Sequence, residues 1–301
     1  MPIIIPKDLP AYEILTNENI FVMNAERAVT QDIRPIEIAI LNLMPTKVET
    51  ETQLLRLLGN TPLQVNVTLL NTGSYKSKNT SEEHLERFYR SFSSVKNKHF
   101  DGMIITGAPV ETLAFEDVLY WSELKEIMDF SEKMVTSTIY ICWGAQAALY
   151  YHYGIKKKPL RTKMFGVFPV RRLENDPLLK GMDDVFYIPH SRHTGIDEKA
   201  VYENENLRVL AYSKKAGASV MKSKDGKKIF LTGHSEYDRY TLRNEFERDK
   251  KKGLLIKAPY NYFSDKEMRD VDMKWASAAN LIFYNWINYY VYQVTPFDLE
   301  V

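Results

Sequence analysis

The chain has 301 residues, 45% of them hydrophobic and 26% charged, the composition of a globular protein with one large core or two modest ones. Lys+Arg at 40 against Asp+Glu at 39 gives a net charge of +1, which does not point to nucleic acid or an anionic membrane surface as partner, so any cation used on a substrate acts locally. The single cysteine excludes an intramolecular disulfide; no stretch approaches the ~20 apolar residues of a membrane span, and Ile3-Ile4-Ile5 is too short for a signal-peptide core, so the expected compartment is the cytoplasm.

Ile36 to Leu43 is an apolar strand ended by Pro45. Thr46 and Glu49 form a capping-box pattern for a helix through Leu54, Leu55, Leu57 and Leu58, closed by Gly59. The alternation then repeats. Val65 to Leu70 is a strand, and Thr80 and Glu83 cap a helix through about Phe92. Met103 to Thr106 is a short buried strand, and Trp121 to Lys133 an amphipathic helix. Val135 to Ile141 is a strand, followed by a helix from Gly144 to Tyr153 that Gly154 stops. Such alternation predicts an α/β fold with a doubly wound, mostly parallel sheet.

After Gly154 the texture changes. Leu173 to Tyr187 reads as loop and extended chain. Arg208 to Ser213, Ala218 to Lys222 and Lys228 to Leu231 are short strands around the turn Asp225-Gly226, and Met273 to Val291 is an aromatic-rich helix. With no low-complexity linker and no internal repeat, residues 1–301 read as a single domain with an elaborated C-terminal half.

Three segments carry chemistry. Cys142 falls where a strand meets a helix, at the sheet edge where ligands of open α/β sheets bind. A tight strand-to-helix turn presents a nucleophile there, and a helix N-terminus favours thiolate; the bland alternative is a buried small hydrophobe. Gly233-His234-Ser235-Glu236 leaves another strand end and offers a base, His234, with an orienting acceptor, Glu236. Ile105-Thr106-Gly107-Ala108-Pro109-Val110-Glu111 leaves a third; its turn can aim the Ala108 N–H at an oxyanion, with the Trp143 N–H as second donor. Of the remaining candidates, Lys47 follows the first strand and points at the same edge. His190 and His193 lack a companion ligand at metal spacing and read as structural, so no metal is expected.

These segments together resemble the class I glutamine amidotransferase-like fold. Leu41 to Lys47, Gly107 to Glu111, Ile141 to Ala147, Pro189 to Thr194 and Gly233 to Tyr237 are also similar to the homoserine O-acyltransferase family of methionine biosynthesis, over about Met1 to Val291. The resemblance implies a Cys142–His234–Glu236 triad and substrate contacts from Lys163, Ser191 and Arg248. It implies acyl transfer to homoserine with an acyl-CoA as co-substrate, no other cofactor, and a homodimer. A zwitterionic amino acid calls for a guanidinium on its carboxylate, a role that falls to Arg248. In this family the residue at the position of Glu111 separates acetyl from succinyl transfer, so Glu111 implies acetyl-CoA. The rival readings are O-succinyl transfer, a glutaminase that feeds ammonia to a synthetase, and a non-catalytic α/β module whose Cys142 senses redox state.

Overall fold

In the computed structural model, which describes residues 3–18, 20–28, 34–74 and 79–295, the apolar runs become strands whose alternate residues face opposite sides. The strands, in chain order, are β1 (Ile3–Ile4), β2 (Val22–Met23), β3 (Ile36–Leu41), β4 (Val65–Asn71), β5 (Tyr89–Ser91) and β6 (Phe100–Ile105). They continue as β7 (Val135–Ile141), β8 (Lys157–Arg172), β9 (Val185–Ile196), β10 (Leu207–Ser213), β11 (Gly217–Ser223) and β12 (Lys228–Leu231). Among the described residues they form one sheet in the order β2-β1-β4-β3-β6-β7-β12-β11-β10-β8-β9, with β5 on the side of β4.

The stretch from β2 to β12 is parallel, and β12 through β9 is antiparallel. Parallel strands need cover on both faces, and the side chains divide accordingly. Ile38, Ile40, Ile104, Ile139 and Ile141 pack with Leu54 and Leu55 of the helix Lys47–Leu58 and with Ile282, Phe283 and Trp286 near the C-terminus. Ala39, Leu41, Met103, Ile105 and Tyr140 pack on the other face with Leu124 and Ile127 of the helix Trp121–Met134. The doubly wound, mostly parallel α/β sheet expected from the sequence is present.

Several local expectations change. Thr46 precedes the helix Lys47–Leu58, but its side chain makes no cap bond, and Glu49 faces Gln53 and Thr241 instead of closing a capping box. The next helix is Glu82–Phe88, capped by the Ser81 hydroxyl on the His84 N–H at 3.2 Å rather than by Thr80. It ends before Phe92 because Tyr89–Ser91 is drawn into the sheet beside β4. The C-terminal helix begins at Ala276, not Met273, and from Trp286 it widens into a π-helical turn to Tyr292. The long β8–β9 hairpin and the helix Thr241–Lys251 have no counterpart in the sequence reading.

Candidate active site

The sheet order puts the three chemistry-bearing turns side by side. β7 lies between β6 and β12, with Ile105 opposite Tyr140 and Ile141 opposite Leu231. Gly107, Cys142 and His234 therefore leave neighbouring strands at the same, carboxyl, end. The Cys142 N–H donates to the Leu231 carbonyl at 2.7 Å, and Cys142 itself sits at φ 50°, ψ −112°. A non-glycine residue at positive φ is a strained conformation that the surroundings must impose. Here the imposing contact is close. A Cβ on Gly144 would lie 2.6 Å from the Thr106 carbonyl oxygen and 2.9 Å from that of Ile105. Only glycine lets the helix Trp143–Tyr153 start this near β6. Gly144→Ala is expected to cost about 1–3 kcal/mol, the scale of overpacking, and to lower activity by displacing Cys142. Thermal unfolding and turnover of the variant check this; an unchanged melting temperature counts against the close approach.

The triad residues meet. His234 Nδ1 is 2.6 Å from Glu236 Oε1, and Cys142 hydrogen-bonds the His234 ring. All three side chains are buried. Burial opposes a charged imidazole, yet the neighbouring Cys142 and Glu236 hold the His234 pKa well above its ordinary value. This favours the imidazolium form of His234. The other Glu236 oxygen, Oε2, is buried without a hydrogen-bond partner among the described residues, a costly arrangement for a carboxylate unless its charge is needed. A Cβ on Gly107 would come within 3.3 Å of His234 Cε1 and 3.4 Å of Cys142 Cβ, so the turn that carries Ala108 lies against the reacting pair. Trp143, as the first residue of its helix, has an N–H with no intrahelical acceptor.

Beside the triad lies a charged network. Tyr237 stacks on the His234 ring at 4.2 Å and 18° and donates to Glu245 Oε1 at 2.8 Å. Ser191, on β9, donates to Glu245 Oε2. Lys163, on β8, is 3.6 Å from Glu245 Oε2 and 3.1 Å from Asp249 Oδ2. Arg248 contacts Asp249 Oδ1 through Nε at 2.9 Å and through its terminal nitrogen at 2.8 Å. Burial works against the Asp249 charge, but hydrogen bonds from Arg248 and Lys163 hold its pKa below the usual carboxylate range. Lys163, Ser191 and Arg248 are thus joined through Glu245 and Asp249 into one network, which reaches the His234 ring through Tyr237. Glu245, Asp249 and Tyr237 were not singled out from the sequence. Glu245, Arg248 and Asp249 have the i, i+3, i+4 spacing of one helix face, a signal that was available once Thr241–Lys251 was read as a helix.

Lys47 is placed differently. Its ammonium turns inward to the Asn42 carbonyl and lies over the Tyr89 ring at 5.4 Å. Burial lowers its pKa to about 8, against the opposing effect of Glu51. It lines a cavity of about 190 Å³ with Met44, Pro109 and Val110, at the active edge but not in the Arg248 network. Glu111 is half-buried rather than freely solvated. Its Oε2 accepts from the His193 N–H at 2.8 Å and from the Thr194 N–H and hydroxyl at 3.2 Å each. His190 is buried against Phe168 and accepts from Arg192 Nε at 3.3 Å, a packing role. Among the described residues no group of three His, Cys, Asp or Glu side chains is arranged to hold a metal ion.

A thiol on a strand-to-helix turn, with His and Glu from the next parallel strand, defines a protein of the class I glutamine amidotransferase-like fold. Solved structures agree on the fold. A glutamine amidotransferase from Thermotoga maritima is 11% identical and superposes with a TM-score of 0.54, covering 85% of this chain and 98% of its own. A glutamine amidotransferase from Methylobacillus flagellatus, also 11% identical, covers 85% of this chain and 95% of its own with a TM-score of 0.50. More narrowly, residues 2–297 match the family model described as homoserine O-succinyltransferase, and the chain belongs to that family. Similar relatives carry a different acyl group in their names. A homoserine O-acetyltransferase of Acetivibrio thermocellus is 59% identical over 100% of this chain and 99% of its own length. One from Shouchella clausii is 57% identical over 100% and 98%. Among the described residues no helix is long and apolar enough to cross a membrane.

Proposed function

We propose that this protein transfers an acetyl group from acetyl-CoA to the hydroxyl of homoserine, through an acyl-Cys142 intermediate, as a step in methionine biosynthesis. The observation that carries this reading is the buried Cys142–His234–Glu236 arrangement standing directly beside a bipolar network. That network offers Arg248 and Lys163 to an α-carboxylate and Glu245 to an α-ammonium. The names of the full-length relatives support the acyl chemistry and the acetyl group, and favour it over release of ammonia from glutamine.

The steps follow from the charges. Cys142 thiolate attacks the thioester carbonyl, and the Trp143 and Ala108 N–H groups take the oxyanion. His234 imidazolium gives its proton to the departing CoA thiolate. Acylation removes the negative charge of Cys142, one of the two that keep the His234 proton in place. The imidazole left behind is then a base, held in one tautomer by Glu236. It takes the proton of the homoserine hydroxyl as that oxygen attacks acyl-Cys142, and Cys142 leaves as thiolate. No redox step or metal is required, because the thioester is already activated.

Arg248 is half exposed and shares Asp249 with Lys163, so it can turn to an incoming carboxylate while Lys163 retains Asp249. Arg248→Ala is expected to lower kcat/KM for homoserine by about 10–100-fold, the worth of a hydrogen bond to a charged group, and to spare acylation. Stopped-flow measurement of both half-reactions tests this; parallel losses would remove Arg248 from the acceptor site. Glu111 is the proposed donor selector. A succinyl carboxylate ~4 Å away would be repelled by roughly 4 kcal/mol at an effective dielectric of ~20, whereas acetyl carries no charge. Buried Arg192, which lies within the field of both Cys142 and Glu111, moderates that figure. The deciding assay compares kcat/KM for acetyl-CoA and succinyl-CoA with homoserine; a preference for succinyl-CoA overturns the acetyl assignment. The family resemblance also supports a cytoplasmic homodimer acting as one catalytic domain per chain, which light scattering of the purified protein would test for oligomeric state.

A further inference from the structure

We infer that Thr194 is a positioning residue for donor selection: it fixes the Glu111 carboxylate in place and ties it to the helix that begins at Cys142. This rests on the reading that Glu111 discriminates against a charged acyl group.

A glutamate on a turn has three rotatable bonds, and a charge that wanders selects weakly. Lys157 of β8 donates to the Glu111 carbonyl at 2.8 Å, while the hydrogen bonds to the Glu111 carboxylate come from a single strand. Its Oε2 takes the His193 N–H, the Thr194 N–H and the Thr194 hydroxyl, all from β9. Its Oε1 has no hydrogen-bond donor among the described residues, so the carboxylate is held by one oxygen. Thr194 is buried. Its carbonyl accepts from Gln146 Nε2 at 3.2 Å and from an Arg192 terminal nitrogen at 2.6 Å. Those donors leave the Gln146 amide in one orientation, with Oε1 facing the Thr194 hydroxyl at 2.9 Å. One hydroxyl proton thus stands between two acceptors, Gln146 and Glu111.

Gln146 is one turn into the helix after Cys142, and its N–H donates to the Cys142 carbonyl at 3.1 Å. Glu111, Thr194, Gln146 and Cys142 are therefore linked through the Thr194 N–H and carbonyl, while the one hydroxyl proton is shared between Glu111 and Gln146. Arg192, which is buried and bonded to the carbonyls of Thr194 and Ala216, supplies positive charge under the chain without competing for the Glu111 oxygen. The Thr194 side chain is the member of this path that only a hydroxyl can fill, since Glu111 keeps its two backbone donors whatever residue stands at 194.

The test is the ratio of kcat/KM for acetyl-CoA to that for succinyl-CoA in five proteins: wild type, Thr194→Val, Thr194→Ser, Glu111→Gly and the double variant of Thr194→Val with Glu111→Gly. Thr194→Val is expected to lower the ratio about tenfold, the scale of one hydrogen bond to a charged group. Thr194→Ser restores the hydroxyl and is expected to keep the wild-type ratio. Adding Thr194→Val to Glu111→Gly is expected to change the ratio no further, because the carboxylate it positions is gone. If the valine variant does not fold, Thr194→Ala carries the same comparison. An unchanged ratio in the valine or alanine variant, alongside a shifted ratio in Glu111→Gly, overturns the positioning role alone. Equal losses in Thr194→Val and Thr194→Ser also overturn it. An unchanged ratio in Glu111→Gly instead overturns the donor-selection reading beneath it.

Discussion

Cys142→Ser is expected to leave the protein folded and to lower acyl transfer by about 10⁴-fold or more, the scale on which a catalytic unit fails when its nucleophile is lost. A serine hydroxyl is smaller than a thiol and fits the same buried site, so packing does not account for the loss. What disappears is the thiolate. The pair formed by Cys142 and His234 depends on a group acidic enough to give its proton to a buried imidazole, and a serine hydroxyl is not. The same replacement removes one of the two negative charges that keep His234 protonated, so the His234 pKa should fall, which histidine NMR titration can read. The covalent intermediate should vanish together with turnover. A serine variant that retained near-normal rates would show that Cys142 is a packing residue and that the chemistry lies elsewhere.

Glu236→Gln is expected to lower kcat by roughly 10²–10⁴-fold, the range of general acid–base effects, with little change in KM for homoserine. Glutamine is nearly isosteric, but at 2.6 Å from His234 Nδ1 it replaces a negative acceptor by a neutral amide. Two consequences follow. The imidazole is no longer locked with its Nδ1 proton inward, so the nitrogen facing Cys142 is less often a base. Its pKa also falls, because a charge that held it up is gone. In the proposed mechanism the free enzyme reacts as a thiolate with an imidazolium, a form that is lost when pH rises past the histidine pKa. A lower pKa therefore moves the alkaline limb of kcat/KM for the acyl donor to lower pH. The pH–rate profiles of both proteins check the sign; an unmoved limb with unchanged kcat would take Glu236 out of the triad.

The chemistry was legible because it lies on the most regular part of the fold. β3, β6 and β7 are buried almost throughout and β4 contributes the buried pair Leu69-Leu70, and Cys142, Gly107 and His234 stand one to three residues past strand ends. A strand-to-helix turn with Gly144 two residues after the nucleophile is a local signal, and the register of β6, β7 and β12 only had to bring the turns together. The acceptor side was less legible. β8 opens with Lys157-Lys158-Pro159 and contains Arg161 and Lys163, so neither an apolar run nor a period of two marks it as a strand; its pairing with β9 is a tertiary fact. The helix Thr241–Lys251 is mostly charged and buries only Thr241, Leu242, Phe246 and Asp249, too little apolar stripe to announce itself. Glu245 and Asp249 were missed for that reason, and Arg248 was found only through resemblance. Lys47 lies at the active edge, beside Met44, Pro109 and Val110. Its ammonium, however, is drawn inward by Asn42, Glu51 and Tyr89, a contact that its place after β3 does not announce.

The most direct test of the whole account is intact-protein and peptide mass spectrometry after mixing the protein with acetyl-CoA in the absence of homoserine. The expected result is one acetyl group per chain on the peptide that carries Cys142, discharged on adding homoserine with formation of the O-acetyl ester. Absence of the adduct, or an adduct that homoserine does not discharge while turnover proceeds, would contradict a route through acyl-Cys142.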